Sequence, residues 1–243
     1  MKRVFLILII SVPLALFSVG AQEDSGEKLN ISVDVASGFV WRGQALNMSP
    51  VVQPCITFTQ GKFTVGTWAS TPFTPGEFQE FDFFASYQIL PSLSIGIMDY
   101  YGFVDGFWGM PRYFDYKNAH SLDLQLIYSG SDRFPLNAML STIIYGNDWK
   151  LDKNGNTKNN FSTYFELGYG NTTKGGFDWE VFAGFVPMAS DYYEIPGANF
   201  VNIGFGVAKN FEITPTYSLP LSIKFSMNPF SESVFLVASI SLF

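Results

Sequence analysis

Short segments in which apolar and polar side chains alternate follow one another along almost the whole chain after residue 28. From Phe165 to Tyr169 every second residue is apolar, and Glu166 and Gly168 occupy the positions between. Successive side chains of a β-strand point to opposite faces, so this alternation predicts strands with one apolar face. It recurs at 31–42, 52–59, 80–88, 121–128, 177–185 and 201–208, and more weakly at 62–70, 92–101, 135–145, 219–227 and 234–243.

The connections between these segments alternate in length. Tight links stand at 60–61, 90–92 and 129–133. Longer links stand between them, at 43–50, 71–79, 102–119, 146–159 and 187–198, and only 210–218 breaks the rhythm. A soluble β-sandwich has no reason to keep such a rhythm, whereas short periplasmic turns and long external loops produce it. The sequence therefore predicts an all-β fold: an antiparallel up-and-down transmembrane β-barrel of about twelve strands, with both termini in the periplasm.

The composition favours the same fold. Charged residues make up 14 % of the chain and aromatic residues 18 %. Soluble domains carry about 25 % charged residues, so much of this surface need not face water. Inside lipid every backbone N–H and C=O needs a protein partner, which a sheet provides by closing on itself. The net charge of −7 argues against a nucleic-acid partner, and the single cysteine, Cys55, excludes an intrachain disulfide.

The N-terminus has the pattern of a secretory signal peptide. Lys2 and Arg3 precede an apolar stretch from 4 to 17, and the small residue Ala21 stands before Gln22. A membrane-anchor helix is the alternative, but the apolar run is shorter than the roughly 20 residues that a span needs. We expect residues 1–21 to be a signal peptide and residues 22–243 to form one outer-membrane β-barrel domain of a Gram-negative bacterium.

The C-terminus predicts a second partner besides the lipid bilayer. The chain ends on Phe243 after the strand-like run 234–237, although Ser239 and Ser241 stand where apolar residues are usual. A terminal aromatic on a last strand resembles the signal that the barrel-assembly machinery of the outer membrane recognises.

Charged residues concentrate on the faces predicted to point into the lumen. The candidates for lining it are Asp34, Arg42, Glu80, Asp82, Asp123, Glu166, Asp178, Glu180 and Lys224. Unpaired charges in a tight interior are costly, so these residues either form ion pairs in a closed core or line a wet, cation-preferring channel. Arginine matches carboxylates through its planar fork, and we predict that Arg42 pairs across the lumen with Glu80 or Asp82.

The loop at 102–119 is unusually aromatic. Phe107, Trp108, Tyr113 and Phe114 lie near its centre. Such a loop either folds inward as a plug or serves as a stacking surface for a ligand. An aromatic belt at the membrane interface accounts only for the base of the loop.

Nothing in the sequence indicates an enzyme. His120 is the only histidine, and its neighbour Ser121 points to the opposite face of a strand, so the two cannot act as base and nucleophile. We expect no catalytic residue, cofactor or metal. The leading expectation is a porin or channel for small polar solutes. The alternative is a closed structural or ligand-binding barrel acting through its external loops, and an outer-membrane hydrolase is a distant third.

Two short motifs resemble a known family. The segment Ser37-Gly38-Phe39-Val40-Trp41-Arg42-Gly43 is similar to the S-x-Y-x-x-R-G segment of the TorF-type porin family, with Phe39 in the place of tyrosine. The segment from Glu80 through Asp82 to Tyr87 resembles the E-x-D-x-x-x-x-Y strand of the same family. The resemblance covers nearly the whole mature chain and implies an outer-membrane barrel without catalytic residues.

Overall fold

The computed structural model describes residues 27–104, 110–131 and 134–242. In chain order its strands are β1 (Lys28–Ala36), β2 (Phe39–Trp41), β3 (Gln44–Asn47), β4 (Val51–Gln60), β5 (Phe63–Pro72), β6 (Gln79–Leu90), β7 (Leu93–Phe103), β8 (His120–Tyr128), β9 (Leu136–Gly146), β10 (Trp149–Leu151), β11 (Thr157–Asn159), β12 (Thr163–Thr172), β13 (Asp178–Val186), β14 (Asn199–Thr214), β15 (Tyr217–Asn228) and β16 (Ser233–Ser241). Within the described ranges, no helix is long and apolar enough to cross a membrane.

Twelve of these strands form one closed antiparallel barrel, which confirms the predicted fold class. Each wall strand pairs with the wall strands before and after it in the chain, and β1 closes the ring by pairing with both β4 and β16. The β1–β4 ladder runs from Lys28 to Ala36, whereas the closing β1–β16 ladder spans only Asp34 to Ala36. The remaining strands form two hairpins outside the wall ladder, β2–β3 and β10–β11.

The alternation of the sequence becomes the two faces of the wall. In β12 the side chains of Phe165 and Leu167 are exposed, while Tyr164 and Glu166, which alternate with them, are buried inside the barrel. Exposed aliphatic side chains encircle the wall and include Ile56, Ile97, Leu126, Leu140, Val181 and Ile223. Exposed aromatic side chains flank this band toward the short turns (Phe63, Tyr87, Tyr169, Trp179, Phe211) and toward the long loops (Phe73, Tyr145, Phe161, Phe200).

Two outward assignments from the alternation are wrong. Phe39 and Trp41 continue the pattern of the first segment, yet they are 2 % and 6 % exposed, because the wall strand ends at Ala36 and they belong to the inward β2–β3 hairpin. Val201 is 1 % exposed because a register shift opposite Gly184 and Phe185 turns Phe200 outward in its place.

The loop rhythm is more regular than the sequence indicates. β14 continues to Thr214 and β15 begins at Tyr217, so the stretch 210–218 contains a tight turn rather than a long link. The short turns gather at one end of the barrel and the long loops at the other. The described chain enters β1 and leaves β16 at the short-turn end.

Several sequence-based expectations concern residues outside the described ranges. The signal peptide at 1–21 with its cut before Gln22, the loop residues Phe107 and Trp108, and the terminal Phe243 lie outside the described residues.

Candidate functional site

The β2–β3 hairpin is built for a tight reversal. Trp41 pairs with Gln44, and the two residues between them, Arg42 and Gly43, have φ angles of 47° and 80°. Positive φ at both central positions is typical of the type I′ turn that suits the twist of a two-residue hairpin. The turn brings the Arg42 side chain into the lumen, and the residue as a whole is 5 % exposed.

Gly43 fixes the hairpin tip against the wall. A Cβ built on Gly43 would lie 1.8 Å from the carbonyl oxygen of Val201 in β14. On the same side, Asn228 Nδ2 donates to the Gly43 carbonyl oxygen at 3.2 Å. Only glycine allows the backbone to approach this closely with a positive φ.

Replacing Gly43 with alanine should therefore displace the hairpin. The left-handed conformation alone costs a non-glycine residue about 1–2 kcal/mol, and the contact with Val201 adds to that cost. We expect a lower free energy of unfolding and faster proteolysis at the hairpin. Gly61→Ala is the matched control, because Gly61 has a positive φ in a turn where an added Cβ meets nothing within 4 Å. Equal effects of the two substitutions would contradict the tight approach at Gly43.

Arg42 ends in a buried ion pair. Its Nη2 lies 2.9 Å from Asp123 Oδ2 of β8, and the side chains of the two residues are 2 % and 0 % exposed. The same carboxylate accepts hydrogen bonds from Tyr100 (3.1 Å), Gln125 (2.8 Å) and Ser141 (2.6 Å). Asp123 is therefore satisfied by four donors, which is the condition under which a charge tolerates burial.

Aromatic rings complete the surroundings of the guanidinium. The Cζ of Arg42 lies 4.5 Å from the ring centre of Trp41 and 4.7 Å from that of Tyr164. Its Nη1 donates to Tyr193 Oη at 2.6 Å. Tyr193 belongs to the loop at 187–198, so a second external loop enters the barrel and stacks its ring parallel to Trp41 at 5.7 Å. We call Trp41, Arg42, Asp123, Tyr164 and Tyr193 the plug.

The predicted partner of Arg42 is wrong. Arg42 pairs with Asp123, not with Glu80 or Asp82, because the hairpin leaves the wall after β1 and carries the side chain across the lumen to β8. Glu80 and Asp82 instead lie next to each other on the inner face of β6, where a hydrogen bond between their carboxyl groups requires a proton on one of them. Asp82 also accepts a hydrogen bond from the backbone N–H of Tyr101 at 3.3 Å.

The other lumen candidates lie apart from the plug or at its margin. Lys224 points into the barrel with its Nζ 4.5 Å from the ring of Phe182, in the electrostatic field of Glu166 and Glu180. Glu166 adjoins the plug, since it accepts hydrogen bonds from Tyr164 and, at 3.0 Å, from Asn202. Asp34 lies at the closing seam, where it is the cross-strand partner of Ser241. Asp178 accepts a hydrogen bond from Thr172 at 2.5 Å near the short turns.

His120 attaches a loop to the outside of the barrel. It pairs across strands with Tyr101 on the outer face, while the neighbouring Ser121 is on the inner face. The Nδ1 of His120 lies 2.8 Å from Asp99 Oδ1, and its Nε2 lies 2.6 Å from the carbonyl oxygen of Tyr113. Both ring nitrogens thus face oxygen acceptors, and neither is directed at a hydroxyl nucleophile.

The aromatic loop does not plug the lumen with its described residues. Tyr113 packs edge-on against Tyr101 and His120 on the outer wall, with ring centres 5.1 and 5.2 Å apart. Phe114 is 88 % exposed beside it. The outward-facing rings of Tyr101 and His120 give this loop an apolar platform outside the barrel, so of the two alternatives the inward plug does not hold for Tyr113 and Phe114.

A cavity of about 780 Å³ opens above the plug at the loop end, and we call it the vestibule. Its buried lining includes Trp41, Tyr100 and Tyr193, and its more exposed lining includes Trp149, Tyr192 and Phe230. Four acidic residues, Glu80, Asp148, Asp191 and Glu194, are also among the residues that line it. Burial raises the pKa of Asp148 above its ordinary value, and hydrogen bonds from Ser162 oppose that rise.

Sequence reasoning missed the loop that holds Tyr192 and Tyr193. The signal was available, because two adjacent tyrosines in a long external loop are as unusual as the aromatic residues at 102–119. It also missed Tyr100, Ser141 and Tyr164, which lie on inner faces and carry no charge. Their role depends on where the hairpin tip ends, and no local pattern encodes that position.

Comparison with known proteins shows no family for this chain. The chain matches no protein-family model and no curated protein. One similar solved chain comes from work described as "Unveiling the Mechanism Behind the in-meso Crystallization of Membrane Proteins". It is 10 % identical, the match covers 88 % of this chain and 82 % of that chain, and the TM-score is 0.43. Among the described residues, no group of His, Cys, Asp and Glu side chains is arranged to hold a metal ion.

Proposed function

We propose that this protein is an outer-membrane β-barrel with its long loops outside the cell and its short turns in the periplasm. The band of exposed aliphatic side chains between two sets of exposed aromatic ones supports this proposal. Soluble monomers rarely expose contiguous apolar patches larger than a few hundred Å², whereas a lipid-facing wall flanked by aromatic girdles is typical of membrane barrels. The same proposal includes two further points: the protein is related to the TorF-type porins, and the barrel-assembly machinery recognises it.

Within that setting, we propose a closed barrel that binds a ligand in its outward vestibule. The observation that carries this function is the plug, in which Arg42 crosses the lumen to Asp123 and is enclosed by rings from two inward-folded loops. A cavity of about 780 Å³ stands directly above it, within the 300–1,000 Å³ typical of ligand sites. No catalytic role is proposed, since His120 is occupied in holding the external loop.

A second candidate is a gated channel for small, preferably cationic, solutes. It is favoured by the construction of the plug, because β2 and β3 pair only with each other in a sheet separate from the wall. Carboxylates stand above the plug at Glu80 and near its lower margin at Glu166. If the hairpin moved aside, the inner wall would offer negative charge along the opened path.

Conductance across a planar bilayer separates the two functions. The purified protein should show no steady conductance. A variant lacking residues 39–47 should conduct and prefer cations, because Ala36 and Val51 are already paired and the five remaining residues suffice for a hairpin loop. Deleting 153–155 from the exposed tip between β10 and β11 is the matched control, because Asp152 and Asn156 remain as a two-residue loop, and it should leave the barrel silent. Circular dichroism establishes that each variant retains its sheet.

Steady open conductance of the unaltered protein would overturn the closed-barrel proposal in favour of a porin. Silence of the variant lacking 39–47, with its sheet intact, would instead show that this hairpin does not close the lumen.

A further inference from the structure

The vestibule combines two kinds of lining group that together select one kind of ligand. Four of its lining residues are acids, and among the described residues that line it there is no lysine or arginine. Aromatic rings make up much of the remainder. A concave site lined by one sign of charge concentrates counter-ions of the other sign.

The guanidinium beneath the vestibule does not offset this negative charge. Arg42 is not among the lining residues, and its charge is compensated by the ion pair with Asp123. The side chains of Trp41 and Tyr193 lie around it and form part of the vestibule lining. A ligand in the vestibule therefore meets the carboxylates of Glu80, Asp148, Asp191 and Glu194 without a competing base from the plug.

The acids differ in how free they are to meet a ligand. Both oxygens of Asp148 accept hydrogen bonds from Ser162, and Lys150 lies in its electrostatic field. Glu80 shares a proton with Asp82, because two carboxyl groups form a hydrogen bond only when one of them is protonated, so neither Asp148 nor Glu80 offers a free carboxylate. Asp191 and Glu194 belong to the inward-folded loop at 187–198 and are solvent-exposed in the lining. They are the carboxylates that an entering ligand would contact first.

The aromatic rings supply the complementary attraction. Trp149 and Phe230 are 49 % and 39 % exposed, and Tyr192 is a half-buried lining residue that packs edge-on against Trp41 and Tyr193 of the plug. Ring faces attract cations through their quadrupole, and they attract apolar groups through dispersion. A simple metal ion would bind to the carboxylates but would have no apolar body to pack on the rings. A neutral sugar would stack on the rings but would not be attracted by the negative charge.

We propose that the vestibule binds a small organic cation, an ammonium group carried on an apolar or aromatic body. Asp191 and Glu194 hold the charge, and the rings of Trp149, Tyr192 and Phe230 hold the body. The inference rests on the proposed function, since it takes the vestibule as the binding site and names the class of ligand.

Isothermal titration calorimetry on the full-length protein in detergent micelles tests the proposal. The probe is benzyltrimethylammonium chloride, and benzyl alcohol and maltose are the neutral probes. The ammonium probe should bind, and its affinity should fall as salt is added, because screening weakens attraction to exposed carboxylates. The combined variant Asp191→Asn, Glu194→Gln should lose about tenfold or more in affinity. Both side chains are exposed and both replacements are isosteric, so the barrel should stay intact.

Glu212→Gln is the matched control, since Glu212 is an exposed acid at the opposite end of the barrel, and it should leave the affinity unchanged. The proposal is overturned if the ammonium probe does not bind, if a neutral probe binds equally well, or if the combined variant binds as tightly as the unaltered protein. Its failure is distinguishable from failure of the closed barrel. If the protein conducts and still binds the cation at Asp191 and Glu194, only the closed-barrel proposal is overturned. If the protein does not conduct and does not bind the cation, only the proposal of a cation site is overturned.

Discussion

Arg42→Ala is expected to lower the free energy of unfolding by about 3 kcal/mol. Removing one partner of a buried ion pair typically costs about 3–5 kcal/mol, because the other charge stays buried without compensation. The lower end applies here, since Tyr100, Gln125 and Ser141 continue to donate to Asp123. Urea unfolding in lipid vesicles, followed by tryptophan fluorescence, measures the change.

A second substitution tests the cause of that loss. Asp123→Asn removes the charge but keeps a side chain that accepts hydrogen bonds. On its own it should destabilise the protein, because it leaves Arg42 buried without a counter-charge. In the Arg42→Ala background it should instead recover part of the lost stability. Loss of the same size in both backgrounds would mean that the charges of Arg42 and Asp123 are not coupled.

The exposed pair between Lys158 and Asp152 is the matched control for burial. Its atoms lie 3.2 Å apart, close to the distance in the buried pair, but the lysine side chain is 63 % exposed. Exposed pairs contribute about 0–1 kcal/mol. Lys158→Ala should therefore change the free energy of unfolding far less than Arg42→Ala.

Val181→Arg is expected to cost about 2–4 kcal/mol, the cost of an arginine near the midplane of a lipid-facing barrel wall. Val181 is 47 % exposed and stands midway along the outer face of β13, two residues from Trp179. In lipid its guanidinium would have to reach an interface or draw water into the hydrocarbon. Unfolding from vesicles measures this cost as well.

Leu151→Arg supplies the comparison. Leu151 is 63 % exposed, so it too is an exposed aliphatic residue, but it lies in the hairpin of the external loop, above the wall. There the arginine meets water, and the change should stay within about 0.5 kcal/mol. Equal small effects at the two positions would contradict a membrane location for the wall.

The wall could be predicted from the sequence because its determinants are local. Each strand displays its two faces within the segment itself, as at 161–169, and the alternation of loop length adds the direction of each strand. The bulge at Val201 could not be predicted, because Val201 is itself apolar and the alternation of apolar and polar residues therefore shows no interruption there. The turn at 215–216 escaped because polar strand ends resemble a loop.

The plug could not be predicted in the same way. Phe39 and Trp41 carry the alternation straight past Ala36, so no local feature marks where the chain leaves the wall. The motif around Arg42 and Gly43 drew attention to this segment, and the preference of Arg42 for a carboxylate was correctly anticipated. That Arg42 pairs with Asp123 depends on how far the hairpin extends across the lumen, and this distance is a property of the assembled barrel.

The position of the plug in the chain links it to the closure of the barrel. The ladder between the first and last wall strands spans only Asp34 to Ala36, and hydrogen bonds between Ser37 and Ala238 and from the Leu242 N–H to the Val33 carbonyl oxygen extend it at its two ends. The hairpin begins immediately afterwards and returns into β4. Pairing of strands so distant in the chain forms slowly, since it brings a large loss of chain entropy. Only Ser37 and Gly38 separate the hairpin from this ladder, so a movement of the hairpin would be transmitted to the shortest ladder in the wall.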